Sequence, residues 1–457
     1  MRFIKMHLYF SLFILIAGLF GACNSLDQSR FSRVDGESSG FVFYNEIRED
    51  SMYNALDFTN LYTGSGVGIG DINQDGLPDV FMGACMNSSK LFLNKGGMKF
   101  EDVSEQMGIE TDRWITGVAM VDINQDSWLD IYLSVSGPQG SPRENLLFIN
   151  QEGKSFREAA ASYGINEAAQ CTHSSFFDYD KDGDLDLYLA VNPTDYTIFN
   201  VNTIRKRKLN GEAASTDKLY RNNGDGSFTD VSREAGVLVE GYSLGLHVSD
   251  FNGDNWPDVY VTNDFLSNDI LYINQQDGSF KDEAADYFKH TSFASMGIDV
   301  ADLNNDALPE IYVLDMFPED NYRQKMLMPG TDYNRFEYIL KAGYEPQYSR
   351  NTLQLNNGDE SFSEVGQMAN LHKTDWSWST LLADFDNDGL KDVFVGNGFL
   401  RDMGDLDYIA YNKSQPFGSR EMIRKRQLEL IRKQKSIKIP NYMFRNLGDL
   451  NFSKEIG

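Results

Sequence analysis

The chain has 457 residues and carries 68 acidic against 41 basic side chains, a formal net charge of −27. Such an acidic chain lacks the basic footprint that nucleic-acid binding requires, and three cysteines cannot build a disulfide framework. The length suits either two or three ordinary domains or a single domain made of repeats.

The N-terminus reads as an export signal, residues 1–22. Arg2 and Lys5 precede an apolar run from Leu8 to Phe20, too short for a comfortable bilayer span. It ends in Leu19-Phe20-Gly21-Ala22-Cys23, which resembles a bacterial lipobox with Cys23 as the lipidated residue; Phe20 stands where a smaller aliphatic residue is usual. Residues 23–39, polar and serine-rich, are expected to be a tether. The expected home is therefore a membrane, through a lipid anchor on the outer membrane or cell surface. Cys85 and Cys171 are expected to be buried, unpaired thiols. Next comes Phe41-Val42-Phe43-Tyr44-Asn45, a strand-like stretch standing alone.

From residue 71 a nine-residue acidic loop recurs six times. Oxygen-bearing side chains fall at positions 1, 3, 5 and 9. The sets are Asp71, Asn73, Asp75, Asp79; Asp122, Asn124, Asp126, Asp130; and Asp178, Asp180, Asp182, Asp186. They continue with Asp250, Asn252, Asp254, Asp258; Asp302, Asn304, Asp306, Glu310; and Asp384, Asp386, Asp388, Asp392. Alternate residues of a tight turn can point to one centre, and a hard cation such as Ca²⁺ takes an oxygen cage of this kind. The ligand positions hold twenty carboxylates, so six Ca²⁺ ions would offset much of the local repulsion. Position 6 is glycine in three loops, supplying a positive φ. Ser127, Asn255 and Ala307 replace it elsewhere. Serine and alanine tolerate that conformation poorly, so the second and fifth loops are expected to bind weakly or in altered geometry.

Each loop sits inside a larger unit. A small or apolar run precedes it, as in Thr116-Gly117-Val118-Ala119-Met120-Val121, and an alternating strand follows, as in Asp258-Val259-Tyr260-Val261-Thr262. A third strand ends in asparagine (Leu271-Tyr272-Ile273-Asn274), and a phenylalanine-led fourth closes the unit after a glycine turn. Period-two alternation with Gly, Asn and Asp punctuation marks short antiparallel strands. Loop starts lie 51, 56, 72, 52 and 82 residues apart, and about fifty residues for four strands is the size of a propeller blade. The excess falls between second and third strands, near 193–216, 316–347 and 400–440.

The combination of the loop, the "DVYV" strand, "LYxNxxxGxF" and "xDV" resembles the FG-GAP/VCBS repeats over residues 40–457. The likeness is closest to bacterial relatives of cartilage acidic protein; the ASPIC/UnbV segment that such proteins often carry is not visible here. The resemblance implies an all-β, integrin-α-like β-propeller of four-stranded blades, calcium in the loops and a surface scaffold or adhesion role. Family members usually have seven blades. Only six repeats are detected, so the ring is expected either to lack part of a blade or to close on six. Closure on six would use Phe41–Asn45, which reads as an isolated fourth strand completing the last blade.

Up-and-down strands place the acidic loops on one face of a propeller and the three long insertions on the other. Recognition usually resides in loops on a rigid scaffold. Tyr196, Phe265, Phe399 and Arg401 are therefore the candidate contacts for a protein or glycan partner. No catalytic residue is assigned. His173, His247, His290 and His372 occupy no shared repeat position, and no nucleophile elbow is present. Trp376 and Trp378 are expected to pack between blades rather than form a sugar platform. Ser419–Lys433 reads as a basic amphipathic helix docked on the acidic propeller. The alternative function is a polysaccharide-active enzyme on the same scaffold. A cluster of His, Lys or Tyr with carboxylates in a central funnel would favour it.

Overall fold

The computed structural model describes residues 31–455, apart from 51–52, 56, 194–203, 329–332, 403, 414–417 and 435. Within residues 36–457 the described strands form six antiparallel blade sheets with their strands in sequence order, five of four strands and the sixth of four plus the added Met316–Phe317, besides a parallel pair, Thr291–Ser292 with Gln347–Tyr348. Blade 1 comprises Val67–Gly70, Asp79–Met82, Lys90–Asn94 and Phe100–Asp102. Blade 2 starts at Trp114, blade 3 at Gln170, blade 4 at Ser243, blade 5 at Ile298 and blade 6 at Asp375. The acidic loop always joins first and second strands.

Why the strands form is legible in their chemistry. Second strands such as Asp130–Ser136 and Asp258–Asn263 are buried along their whole length. A strand inside a stack of sheets is covered on both faces, so β-branched and aromatic residues fill it without polar alternation. First strands line the axis and are less covered. Adjacent first strands approach closely: a Cβ on Gly66 would lie 2.6 Å from the Val118 nitrogen of the next blade. Hydroxyls then stitch blade to blade. Ser65 donates to the Ile115 carbonyl (2.8 Å), Thr116 to Cys171 (2.8 Å) and Thr172 to Ser243 (2.7 Å).

A second repeating device braces blades 2 to 5 internally. The residue ahead of the third strand accepts a backbone N–H from the end of the second strand. Asn145 takes Val135, Asp217 takes Val191, Asp269 takes Asn263 and Asn351 takes Asp315. The same side chain bonds the hydroxyl of a fully buried second-strand tyrosine: Tyr132, Tyr188, Tyr260 or Tyr312. Burial pushes the carboxyls of Asp217 and Asp269 up to about 7. Cys85 and Cys171 are buried free thiols, as expected.

All three insertions are second-to-third-strand connections. The one in blade 5 places Met316–Phe317 against the first strand of blade 6. The one in blade 6 contains the helix Arg420–Lys433, capped by Ser419, and Arg424 pairs with Asp57.

One expectation is corrected. Phe41–Asn45 forms no strand, and blade 6 is completed by its own fourth strand, Phe452–Glu455. Phe41 instead packs on blade 1, against Phe92 (4.4 Å) and Phe100 (5.1 Å), which hold it by ring contact rather than by ladder hydrogen bonds.

Candidate functional site

The six acidic loops share one geometry. The position-1 aspartate accepts the position-5 N–H on one oxygen, at 3.0–3.1 Å throughout. Its other oxygen accepts the position-6 N–H. Ser127 (φ 72°), Asn255 (φ 66°) and Ala307 (φ 69°) adopt the left-handed conformation of the glycines they replace. The expected distortion of the second and fifth loops is therefore absent. The hydrogen bonds around position 6 hold the turn, at a local strain cost of about 1–3 kcal/mol for a non-glycine residue.

Position 9 does something that sequence reasoning missed. All six of these carboxylates are 0 % exposed. Each accepts the N–H of loop position 2, as Asp79 does from Ile72 (3.0 Å) and Glu310 from Leu303 (2.7 Å). In five blades the remaining oxygen accepts the N–H of the third-strand asparagine, 2.7 Å for Asn94 and 2.9 Å for Asn446. Position 9 thus ties the loop to the sheet, and its burial raises Asp130, Asp186 and Asp258 to about 7.

Position 3 separates the loops into two kinds. Asn73, Asn124, Asn252 and Asn304 turn their amides onto the position-5 carboxylate at 2.8–3.1 Å, which satisfies the loop internally. Asp180 and Asp386 cannot donate. In those two loops the carboxylates of positions 1, 3 and 5 converge, with oxygens within 4.8 Å of one another. Arg445 bridges Asp386 (2.8 Å) and Asp388 (3.2 Å). In the third loop one Asp180 oxygen is buried with no hydrogen-bond partner. Burial and the neighbouring Asp182 raise its pKa. This donor set is hard, anionic and oxygen-only, and it fits Ca²⁺. Neighbouring loops are also linked: Gln74 donates to the Ser127 carbonyl and Gln125 to that of Gly183, both at 2.8 Å.

Along the axis lies a cavity of about 810 Å³ lined by first strands of all six blades. It collects His173 and His247, which sequence reasoning set aside because the histidines share no repeat register, together with Asp299. A propeller turns first-strand residues of neighbouring blades toward one another, so register is the wrong test. His247 Nδ1 lies 3.7 Å from Asp299. The Asp299 carboxylate is fixed by the N–H groups of Val300 (2.9 Å) and Leu382 (2.7 Å). Desolvation at the axis, then the nearby His247, lowers the pKa of His173, although its ring is exposed to the cavity.

The candidate partner contacts are dispersed. Tyr196 lies outside the described residues. Phe265 packs on Tyr242 at 5.2 Å. Phe399 stacks on Trp376 (4.0 Å) and meets Tyr62 edge-on. Arg401 pairs with Glu49 (2.9 Å) and donates to the Gln434 carbonyl (3.0 Å). Phe399 and Arg401 are thus tied into the molecule. Trp376 packs on this insertion rather than between blades, and Trp378 lines the cavity, donating to the Gly398 carbonyl.

An FG-GAP-like repeat model matches residues 71–133, 209–261, 250–313 and 339–395. Cartilage acidic protein 1 from Homo sapiens is 26 % identical over 209 residues, covering 44 % of this chain and 28 % of that protein. The Xenopus tropicalis protein is 28 % identical over 211 residues, covering 44 % and 29 %. The chain thus matches less than a third of the length of these relatives. Among solved structures, an Agrocybe aegerita lectin recognising non-reducing terminal N-acetylglucosamine matches with TM-score 0.42 and 13 % identity, over 85 % of this chain and 78 % of that one. The chain is a β-propeller of FG-GAP-like repeats, similar over part of its length to cartilage acidic protein 1.

Proposed function

We propose that the protein is a calcium-stabilised propeller scaffold, exported and lipid-anchored at Cys23, that binds a protein or glycan partner on the face bearing its insertions. The observation that carries the calcium reading is the third loop, with three converging carboxylates and the partnerless Asp180 oxygen. Calorimetric titration of the EDTA-treated protein tests it. Ca²⁺ should bind the parent and bind more weakly to Asp180→Ala, and an absence of heat at millimolar Ca²⁺ would refute it. The anchor rests on the basic, apolar and small-residue order ending at Cys23. Cys23→Ser should leave the protein unprocessed or release it from membranes, and unchanged fractionation and mobility would contradict the anchor.

One observation favours the enzymatic alternative. His247 beside a fixed Asp299 in an axial cavity is a group able to exchange protons. Incubation with a panel of polysaccharides, with His247→Ala as control, decides between the readings. Depolymerisation lost in the variant supports an enzyme, and binding without cleavage supports the scaffold.

A further inference from the structure

Only two of the six loops carry a carboxylate at position 3, Asp180 in blade 3 and Asp386 in blade 6. The same two blades place an arginine on the third strand directly ahead of its terminal asparagine, Arg221 and Arg445. The counterparts in the other four blades are Leu93, Ile149, Ile273 and Leu355. Each arginine follows a long insertion, so the correspondence belongs to the folded blade and not to closeness in sequence.

Electrostatics supplies the reason. In the four asparagine loops the position-3 amide donates to the position-5 carboxylate, and an apolar residue serves on the third strand. An aspartate at position 3 brings three carboxylates together with no donor side chain among them. Like charges that close disfavour one another's ionised form unless an opposite charge lies beside them. In blade 6 the chain supplies that charge itself. Arg445 spans Asp386 (2.8 Å) and Asp388 (3.2 Å), and the Asp386 side chain is only 5 % exposed. In blade 3 the arginine stands off. Arg221 forms no ion pair among the described residues, and one Asp180 oxygen is buried with no hydrogen-bond partner. Both residues line, with Asp182, a cavity of about 590 Å³.

We infer that the two arginines decide which aspartate-rich loop takes a divalent cation: Arg445 fills the ion's place in the sixth loop, and Arg221 leaves the third loop open to it. The inference rests on the calcium reading proposed above and narrows it. A guanidinium donates to carboxylate oxygens in a fixed fork and is not deprotonated in proteins, so Arg445 neutralises its loop whether or not Ca²⁺ is present. The oxygens it engages are ones that an ion would need, since Ca²⁺ takes about six to eight of them. The ion therefore enters the sixth loop only as Arg445 leaves. The sixth blade is braced without a metal, while the third loop keeps its carboxylates converged for one.

The test is calorimetric titration of the EDTA-treated full chain with CaCl₂, for the parent and for Arg445→Gln, with melting temperatures in EDTA alongside. Glutamine keeps donor atoms and removes the charge. The variant should take up one more Ca²⁺ than the parent, and Arg445→Gln combined with Asp386→Asn should return to the parent's number. In EDTA Arg445→Gln should melt below the parent, and Ca²⁺ should raise it by more than it raises the parent. Arg221→Gln should change neither the number bound nor the melting temperature in EDTA; an additional ion there would overturn the distinction between the two arginines. If Arg445→Gln does not fold in EDTA, Arg445→Lys carries the comparison, because it keeps the charge but loses the fork, and it too should bind the additional ion. Equal uptake by the parent and both Arg445 variants, in a chain that does bind Ca²⁺, overturns this proposal and leaves the calcium reading standing. No uptake by any of these chains overturns both.

Discussion

Ala307 and Ser127 hold positive φ angles that the loop imposes and the side chain resists. Replacing either with glycine should relieve that strain, less the entropy glycine gains in the unfolded chain. The net gain is expected to be about 0.5–1 kcal/mol by urea denaturation, against little change for Asn255→Gly, since asparagine accepts the conformation. Composition alone pointed to weak loops at these sites. It could not show that two backbone N–H groups fixed on one aspartate outweigh the preference of a single residue. Position 3 carries the converse lesson. Asn and Asp look equivalent as oxygen donors in a sequence, yet only the amide can satisfy its neighbour.

Among elements, the brace between the third-strand approach and the second-strand tyrosine makes its own predictions. Tyr132→Phe should cost about 1 kcal/mol or somewhat more, because it leaves the buried Asn145 amide one partner short. Asp217 is raised to about 7 by burial, so between roughly pH 4 and 7 the native state holds a proton that the unfolded chain releases. Its contribution is therefore most favourable at low pH and is lost as pH rises through about 7. Asp217→Asn keeps the Val191 contact and reproduces the natural pairing of Asn145 with Tyr132. It should raise the melting temperature more at pH 8 than at pH 5, and an equal or opposite shift would contradict the burial argument. Strand content and loop placement were legible because alternation and Asp/Gly punctuation are local signals. The brace was not, since it joins residues such as Tyr188 and Asp217 across an insertion of no fixed length.

At the scale of the whole molecule, repeat spacing gave six blades and put all three insertions on one face. It misjudged the ends, because strand-like composition in Phe41–Asn45 does not say which sheet edge is free to pair. The axial His173, His247 and Asp299 were hidden for a related reason: three blades contribute one residue each, and only closure of the arc brings them together. The loops themselves are linked around the arc, through Gln74 to blade 2 and Gln125 to blade 3, so under the proposed function a cation at one loop would also act on its neighbour. Extracellular Ca²⁺ modules bind with dissociation constants of roughly 10⁻⁴–10⁻³ M. At about 1 mM Ca²⁺ each occupied loop should then add about 0.4–1.4 kcal/mol. The measurement that bears most directly on a calcium-stabilised scaffold is thermal unfolding of the full chain, in EDTA and in millimolar Ca²⁺, for the parent and for Asp178→Ala. A melting temperature raised by Ca²⁺, with a smaller rise in the variant, is the predicted result. An identical melting temperature with and without Ca²⁺ after exhaustive chelation would contradict the account.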